Sequence, residues 1–358
     1  MMARETGSGP AVNPVLVEVL RGDVVESRHR GAVAVVDADG QPVLTLGDTA
    51  TPVYPRSAIK ILQALPLVES GAADAWGFTD AELALACASH NGEPRHAATA
   101  AAMLAKLGLD ADDLGCGTHW PTRKASSAAL NRAGEKPSAL HNNCSGKHAG
   151  MLAVAKQLGL PLAGYTETSH PVQQLARDAI GALTGVDMEA APCGRDGCSV
   201  PTWALPLPAL ALGFARVAAA AAGQPAGLPS ARAAACARLF RAATANPFMV
   251  AGTGRYCTAV MQLAPGRVFV KLGAEGVYCG AVPERGWGIA VKCDDGAERG
   301  ASAIMTALLQ KTGLVAPGQY AEIPGMDLTL KNLNGYRVGE IRFAPALAGA
   351  GLPPARVG

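Results

Sequence analysis

The sequence is organised around Tyr54-Pro55-Arg56-Ser57-Ala58-Ile59-Lys60-Ile61-Leu62-Gln63-Ala64-Leu65, residues 54–65. We expect a helix to begin here, because proline suits the position before the first turn and serine suits that turn, where backbone N–H groups lack partners. Ser57 and Lys60 are three residues apart, so their side chains share one helix face. The side chains around them are mostly apolar, which predicts that the helix is buried.

A lysine in such a helix points to a specific chemistry. Burial disfavours the charged form of an amine, and a neutral Lys60 one turn from Ser57 can accept the hydroxyl proton. That is the Ser-Lys route to an activated nucleophile. The alternative is coincidence, since a Ser-x-x-Lys spacing should occur roughly once per few hundred residues at ordinary composition.

Length and composition argue against nucleic-acid-binding and membrane-spanning classes of protein. The 358 residues are 49% hydrophobic and 17% charged, which is enough apolar material for a large core. A net charge of +2 offers no basic surface for nucleic acid, so we expect no such partner. The first residues lack the layout of a signal peptide, no run of about eighteen apolar residues predicts a membrane span, and the nine cysteines are an odd number. We therefore expect a cytoplasmic protein with reduced thiols.

The order of the elements predicts the fold class. Short strands are predicted at residues 15–20, 24–28, 31–37 and 42–46, with Asp39-Gly40 in a hairpin turn. A helical middle follows, with helices at 80–87, 95–107, 147–158, 170–183, 207–222 and 229–246. A helix at 296–311 is then accompanied by strands at 258–263, 267–272, 276–281, 288–293 and 336–343.

Strands at both ends of the chain with helices between them predict an α/β (α+β) fold. We expect an antiparallel sheet built from both termini, with the helical segment inserted as a lobe. Residues 1–75 and 256–345 are assigned to the sheet-containing part and 76–255 to the mainly helical part, together forming one compact unit. Residues 1–13 are expected to form a loose arm and 346–358 a frayed tail.

Three short motifs carry the catalytic prediction. They are Ser57-x-x-Lys60 on a helix, Ser89-His90-Asn91 at a helix break and Lys271-Leu272-Gly273 on a strand. Each is weak alone, since Ser89 can simply cap the next helix and Lys271 can point to solvent from an edge strand. Together they follow the order and the element types of serine acyl-transferases that use lysine.

The chemistry needs each member of this set. A nucleophile needs a base within one turn, and a second hydroxyl can pass a proton to the leaving nitrogen. A lysine on the neighbouring strand can hold that relay and offer positive charge to a substrate carboxylate. Gly273 is expected to let the substrate lie close to the strand. We therefore predict four catalytic residues, Ser57, Lys60, Ser89 and Lys271.

A second group combines thiols with glycine-rich loops. Residues 144–148, Cys144-Ser145-Gly146-Lys147-His148, and residues 193–198, which contain Cys193 and Cys198, could together hold Zn²⁺. Their spacing is not that of a zinc finger, and Lys147 would be a ligand only if it lost its proton. The alternative is a glycine turn at a helix start with inert thiols.

Several charged residues are weaker candidates for substrate contacts. Arg56 and Arg255 are placed to bind a carboxylate, although Arg255 can equally form a structural ion pair. Glu93 and Asp196 can orient an amine or simply be solvated. His90 is expected to be a hydrogen-bonded histidine rather than a proton shuttle.

Six motifs together resemble those of the L-asparaginase II family, the rhizobial inducible type. They occur in family order within about residues 12 to 345, and they are 55–60 (PRSAIK), 87–93 (CASHNGE), 141–148 (HNNCSGKH), 194–201 (GRDGCSVP), 250–255 (VAGTGR) and 270–276 (VKLGAEG). The resemblance implies a fold like that of serine β-lactamases, transpeptidases and serine-type glutaminases. It also implies a homodimer that hydrolyses L-asparagine to L-aspartate and ammonia.

The resemblance also implies roles for individual residues. It pairs Ser57, as the nucleophile, with Lys60. The second pair is Ser89 with Lys271. One Zn²⁺ per chain is expected beside the pocket, with a water held by Asp196 as its fourth ligand, and its protein ligands are Cys144, Lys147 and Cys198. The residues expected to bind the substrate are Arg56, Asn91, His148, Asp196 and Arg255.

Two other classes of function remain open from the sequence. A serine-type glutaminase, a β-lactamase or another amidase would use the same fold. Comparing ammonia release from asparagine and from glutamine distinguishes a glutaminase from an asparaginase. A catalytically dead amino-acid-binding protein would bind asparagine without turnover. The intact set of two serines and two lysines argues against a dead site.

Overall fold

A computed structural model of the chain describes residues 12–353. Within this range the strands are β1 (Val15–Arg21), β2 (Val24–Asp37), β3 (Pro42–Leu46), β4 (Cys193–Arg195), β5 (Pro201–Trp203), β6 (Phe269–Leu272), β7 (Val277–Val282), β8 (Trp287–Cys293), β9 (Thr329–Lys331) and β10 (Arg337–Phe343).

The helices in the same range are α1 (Lys60–Gln63), α2 (Leu65–Glu69), α3 (Ala72–Ala75), α4 (Asp80–Ala86), α5 (Pro94–Lys106), α6 (Lys124–Arg132), α7 (Ser145–Gln157), α8 (Pro171–Thr184), α9 (Leu207–Ala221), α10 (Ser230–Ala245), α11 (Pro247–Val250), α12 (Tyr256–Leu263), α13 (Glu298–Lys311) and α14 (Pro345–Ala348). Short 3-10 helices lie at Arg56–Ile59, Ala111–Asp113, Ala139–His141, Pro283–Arg285 and Pro317–Glu322.

One antiparallel sheet joins the two ends of the chain. Its strand order is β6-β7-β8-β2-β1-β10-β9, and β3 pairs with β2 beside this path. The long strand β2 pairs with β1 along its first half and with β8 along its second half. Strands from the first and the last part of the chain therefore meet at the centre of the sheet, which confirms the predicted α/β (α+β) fold.

Helices cover both faces of this sheet. Gly288 of β8 packs so closely against α9 that an added Cβ would overlap the backbone oxygen of Ala211. Gly280 of β7 faces α13, because a Cβ at this position would lie 3.7 Å from Met305 Cε. Gly288 pairs with Ala281, and side chains alternate along a strand, so α9 and α13 lie on opposite faces.

The predicted strand at 258–263 is wrong, since these residues belong to helix α12. Buried positions of α12 include Tyr256, Cys257, Val260 and Met261, which recur with helical spacing. A short apolar run fits a strand or a helix equally well, so the pattern alone did not separate the two. Residue 256, the predicted start of the second sheet-containing segment, is thus the first residue of a helix and not of a strand.

Other segments differ from prediction in smaller ways. Residues 24–28 and 31–37 form one continuous strand, and the helix predicted near Ser57 is divided into a 3-10 turn, α1 and α2, with Pro66 in the first turn of α2. Helix α6 and the β4–β5 hairpin were not predicted; only Ser126 of α6 is buried, so this helix lacks an apolar stripe.

The ends of the chain complete the comparison with prediction. Within the tail, α14 forms a short helix whose Leu347 is buried, whereas residues 354–358 and most of the predicted arm lie outside the described range. The division into a sheet-containing and a helical part stays a prediction. Of the helices between residues 12 and 353, none combines the length and apolarity needed to cross a membrane.

We expect Gly288→Ala to lower the free energy of unfolding by about 1–3 kcal/mol, because its methyl group would collide with the backbone of α9. Denaturant unfolding measures the change. Gly318→Ala is the matched control, since nothing lies within 4 Å of a Cβ at that position, and its effect should stay within about 0.5 kcal/mol. Equal midpoints for both variants and the parent would contradict the close packing of α9 on β8.

Candidate active site

A cavity of about 260 Å³ lies where three elements converge. The 3-10 helix at Arg56–Ile59 contributes Ser57, the loop after α4 contributes Ser89, and the end of β6 contributes Leu272 and Gly273. The remaining lining residues are Asn143, Ala274, Glu275, Gly276, Arg255, Gly296 and Glu298. The helix, loop and strand motifs identified in the sequence are thus brought to one place.

Gly273 allows this convergence. An added Cβ there would overlap the backbone oxygen of Pro55 and would lie 3.3 Å from both Ala58 N and Ala58 Cβ. The bare strand end therefore lets the segment carrying Ser57 pack directly against β6. The predicted approach of the substrate to Gly273 stays a prediction, whereas the close packing of the Pro55–Ala58 segment on this glycine is observed.

The amine of Lys60 is fully buried and lies at the centre of the site. Its Nζ donates to Ala88 O at 2.5 Å, to Ser89 Oγ at 2.9 Å and to Cys144 Sγ at 3.1 Å. Asn143 O is a fourth, longer contact at 3.5 Å, and the three shorter contacts equal in number the N–H donors of an ammonium group. Within the described residues Ser57 Oγ is not among its hydrogen-bond partners, so the observed pairing is Lys60 with Ser89.

Lys271 differs from Lys60 in its surroundings. Its side chain is 1% exposed, and its Nζ donates to Leu272 O at 2.9 Å. Burial, with a further contribution from the positive charge of Lys60, lowers the pKa of Lys271 to about 7. A substantial fraction of this amine is therefore neutral at neutral pH, which is the form that accepts a proton. The predicted hydrogen bond between Lys271 and Ser89 is not among the contacts of residues 12–353.

The two thiols predicted as metal ligands, Cys144 and Cys198, lie beside buried lysine side chains. Cys144 and Cys198 are both 3% exposed, and Lys147 Nζ lies 3.2 Å from Cys198 Sγ. The hydrogen bond between the thiols raises the pKa of Cys144, which burial raises further, and it lowers the pKa of Cys198, as does the charge of Lys147. Burial alone would lower the pKa of Lys147, but the two sulfurs raise it.

This donor set matches a thiophilic cation such as Zn²⁺ in kind and in number. Two sulfurs and one nitrogen supply three ligands and leave a fourth position open. The ring of His148 lies beside Cys198, and its buried Nε2 has no hydrogen-bond partner in the described part of the chain. The amine is the least favourable ligand, because a cation must displace the proton of Lys147.

His148 itself is held away from the cavity. It is fully buried, and its Nδ1 lies 2.7 Å from Tyr165 Oη, which also accepts the N–H of Gly115. Burial lowers the pKa of His148 to about 4, only partly opposed by Cys198, so the ring is neutral. The expectation that His148 binds substrate stays a prediction, and its position beside Cys198 is closer to the candidate metal ligands.

Arg56 and Asp196 bind each other. Arg56 Nε donates to Asp196 Oδ1 at 2.8 Å, and the carboxylate also accepts the N–H of Gly197. Arg56 has a φ of +50°, which is uncommon for a residue with a side chain. The ion pair therefore ties the strained residue before Ser57 to the loop that carries Cys198. Neither partner lines the cavity, and their substrate-binding role stays a prediction.

Arg255 reaches the cavity from the turn before α12. Its Nη1 donates to Asn91 Oδ1 at 3.0 Å, and Asn91 Nδ2 donates to Thr253 O at 3.0 Å. Thr122 Oγ1 also donates to Asn91 Oδ1. The amide of Asn91, predicted to bind substrate, is thus engaged with the protein and holds Arg255 in place.

His90, Ser89's neighbour, is hydrogen-bonded as expected. Its Nε2 lies 2.9 Å from Ser145 Oγ, and its Nδ1 accepts the N–H of Gly92. The ring is fully buried, and burial lowers its pKa well below the ordinary value. These contacts link the loop after α4 to the start of α7.

A second group of potential metal donors lies at the end of β8. Asp295 accepts from His29 Nδ1 at 2.7 Å and from Cys293 Sγ at 3.0 Å. Arg299 Nε donates to His29 Nε2 at 3.2 Å, so the ring carries its proton on Nδ1. A cation would need that nitrogen free, and we therefore assign the group to a hydrogen-bond network that anchors the loop bearing Gly296.

Three lining residues with polar side chains were not predicted as site residues, and they are Asn143, Glu275 and Glu298. Asn143 and Glu275 lie inside the motifs at 141–148 and 270–276, so their motif membership was the available signal. Glu275 adopts a φ of +57°, a conformation that residue type alone does not predict. Glu298 begins α13, and only the tertiary fold brings it to the cavity.

Comparison with known proteins identifies the family of this chain. The family model described as L-asparaginase II matches residues 17–343, a range that contains every residue of the candidate site. A comparison with curated proteins finds no match. The family match covers most of the chain and includes the serines, lysines and thiols just described. The chain belongs to the L-asparaginase II family.

Proposed function

We propose that this chain is an L-asparagine amidohydrolase that forms an acyl-enzyme on Ser57. Family membership supports asparaginase-type amide hydrolysis. The observation that carries the finer proposal is the presence of two serines on one small cavity, with two lysines buried directly behind it. Buried amines are costly to keep, and a protein that only bound asparagine would not need them.

In the acylation step, Ser57 Oγ attacks the side-chain amide carbon of the substrate. Lys271 accepts the hydroxyl proton, because its pKa of about 7 leaves it partly neutral. Ser57 lies at the start of a 3-10 helix, where backbone N–H groups without intrahelical partners are available to stabilise the oxyanion. This role differs from the base role predicted for Lys60, whose amine donates to Ser89 Oγ and not to Ser57 Oγ within the described residues.

Ser89 acts on the leaving group in this proposal. The Lys60 amine donates to Ser89 Oγ at 2.9 Å and fixes its position beside the cavity. Ser89 passes its proton to the amide nitrogen as the C–N bond breaks, and ammonia leaves; Ser89 then recovers a proton from Lys271, which held the one taken from Ser57. Water then attacks the ester carbon and gives a proton to neutral Lys271; as the bond from that carbon to Ser57 Oγ breaks, Lys271 returns this proton to Ser57, and L-aspartate is released.

Positive charge at the cavity is available to bind the α-carboxylate of the substrate. Arg255 lines the cavity and is held by the neutral amide of Asn91, so its charge is available for the substrate α-carboxylate. Arg56 remains a weaker candidate, because it is bound to Asp196. A small polar cavity of about 260 Å³ suits an amino acid amide.

We further propose that Cys144, Lys147 and Cys198 hold one Zn²⁺ per chain. A cation there would supply positive charge beside the cavity and would fix the loop that carries Asp196. The supporting observation is the cluster of two buried sulfurs and one amine, with Lys60 donating to Cys144. We also expect the chain to form a homodimer, as the family resemblance implies, and to act in the cytoplasm, where its odd number of cysteines would stay reduced.

Ser57→Ala is expected to lower ammonia release from L-asparagine by roughly 10³-fold or more, since it removes the atom that is acylated. The assay compares asparagine with glutamine, and we expect asparagine to be preferred by roughly tenfold or more, as one extra methylene must be accommodated. Ser230→Ala, at an exposed serine, is the control and should leave turnover unchanged. Near-normal turnover in Ser57→Ala would remove the nucleophile assignment, and preference for glutamine would favour a glutaminase.

The pH dependence of the parent reports on Lys271. Its amine is protonated below its pKa of about 7 and neutral above it, so kcat/KM should rise as the pH increases through 7. Lys271→Met should lose most of the activity, and its remaining kcat/KM should no longer rise as the pH increases through 7. Lys311→Met, which changes a helix-end lysine far from the cavity, is the control. A flat profile from about pH 6 to about pH 9 would contradict this role for Lys271.

Metal analysis tests the zinc proposal. Protein purified without chelators should carry about one Zn²⁺ per chain, and Cys198→Ser should lose most of it. Cys193→Ser is the matched control, because Cys193 is an exposed thiol on the same loop. Equal zinc content in the two variants, or none in the parent after zinc is supplied, would contradict the site.

A further inference from the structure

Glu93 is a buried carboxylate that the mechanism above does not use. It is 4% exposed and lies in the loop after α4, two residues beyond Asn91. Its Oε1 accepts the N–H of Thr253 at 2.7 Å, and its Oε2 accepts Thr253 Oγ1 and Arg123 Nη1, both at 2.9 Å. The carboxylate thus binds a turn that is 160 residues away in sequence.

That turn, residues 252–255, presents Arg255 to the cavity. Gly252 has a φ of +110°, and an added Cβ would lie 2.7 Å from Glu93 Oε1 and 2.9 Å from Asn91 Nδ2. The turn therefore needs a glycine in order to rest on the carboxylate. Thr253 is held by Glu93, and two residues later Arg255 is held by Asn91, so both ends of the turn are fixed to one loop.

The two charged ends of this set of contacts differ in their partners: Glu93 is paired with a cation, whereas Arg255 is bonded to a neutral side chain. Burial opposes ionisation of Glu93, yet hydrogen bonds from Thr253 and Asn91 keep its pKa below the ordinary value. Arg123 balances the carboxylate at the protein surface. Arg255 instead contacts a neutral amide, and no ion pair joins it to a carboxylate within residues 12–353.

We propose that Glu93 is a positioning residue that fixes the 252–255 turn so that Arg255 meets the substrate α-carboxylate. This inference rests on the proposed amide hydrolysis of an α-amino acid, and it identifies what determines selection for a free α-carboxylate. The competing explanation is purely structural, since Glu93 also precedes α5 as its N-terminal cap residue. The two explanations predict different kinetics.

The test compares L-asparagine with 3-aminopropanamide, which is asparagine without its α-carboxylate. In Glu93→Gln we expect KM for asparagine to rise by about tenfold or more while kcat changes by less than about threefold. For 3-aminopropanamide, kcat/KM should stay within about twofold of the parent value, because Arg255 has no group to bind. Arg255→Lys should show the same pattern, and the double variant should be little worse than either single variant.

Glu82→Gln is the matched control. Glu82 is also 4% exposed and is bonded to Thr79 and Lys106, and among the described residues it makes no hydrogen bond to the 252–255 turn. Its loss should lower the melting temperature without raising KM for asparagine. If Glu93→Gln does not fold, Thr253→Val removes the hydroxyl donor at an exposed position and should raise KM for asparagine by about threefold.

Separate results overturn the inference and the proposed function. A parent protein that releases no ammonia from asparagine rejects the function, and with it the inference, before any variant is made. An active parent in which Glu93→Gln slows both substrates equally, or lowers kcat with KM unchanged, rejects only the positioning role. Additive losses in the double variant would also reject it, since Glu93 would then act independently of Arg255.

Discussion

The buried amine of Lys60 is the contact on which the candidate site depends. It joins its own helix to the loop at Ala88 and Ser89 and to the start of α7 at Cys144. A fully buried amine is tolerated only while neighbouring acceptors satisfy its donors. Loss of one acceptor would leave a buried donor unpaired, at a cost of about 1–3 kcal/mol, so the three segments are held in a single arrangement.

The same buried region sets the protonation states of its neighbours. Lys271 shares the low-dielectric interior with Lys60, and burial together with that nearby charge brings its pKa to about 7. The hydrogen bond with Cys144 and the positive charge of Lys147 lower the pKa of Cys198, which favours the thiolate form beside the amine. The site therefore combines paired charges with one amine that is easily deprotonated, which is what a general base at neutral pH requires.

Sequence pattern predicted the alternating strands, the capped helices and the order of the motifs, because these features depend on neighbouring residues. Thr79 and Glu82 form a capping box at the start of α4, a motif that depends only on residues three apart in the sequence. Residues 258–263 were mistaken for a strand, since a short apolar run fits both periods and only packing decides between them. Positive φ values at Arg56 and Glu275 were also beyond prediction, because residues with a Cβ rarely adopt them.

The sequence by itself determined which chemical groups are present and in which order, and this was enough to indicate the family and the class of reaction. The tertiary structure decided which groups meet. Ser57 is three residues from Lys60, yet the amine bonds Ser89, 29 residues away, and Glu93 supports a turn 160 residues away. The physical reason is that burial and hydrogen-bond partners arise from contacts between distant segments, and local periodicity carries no information about them.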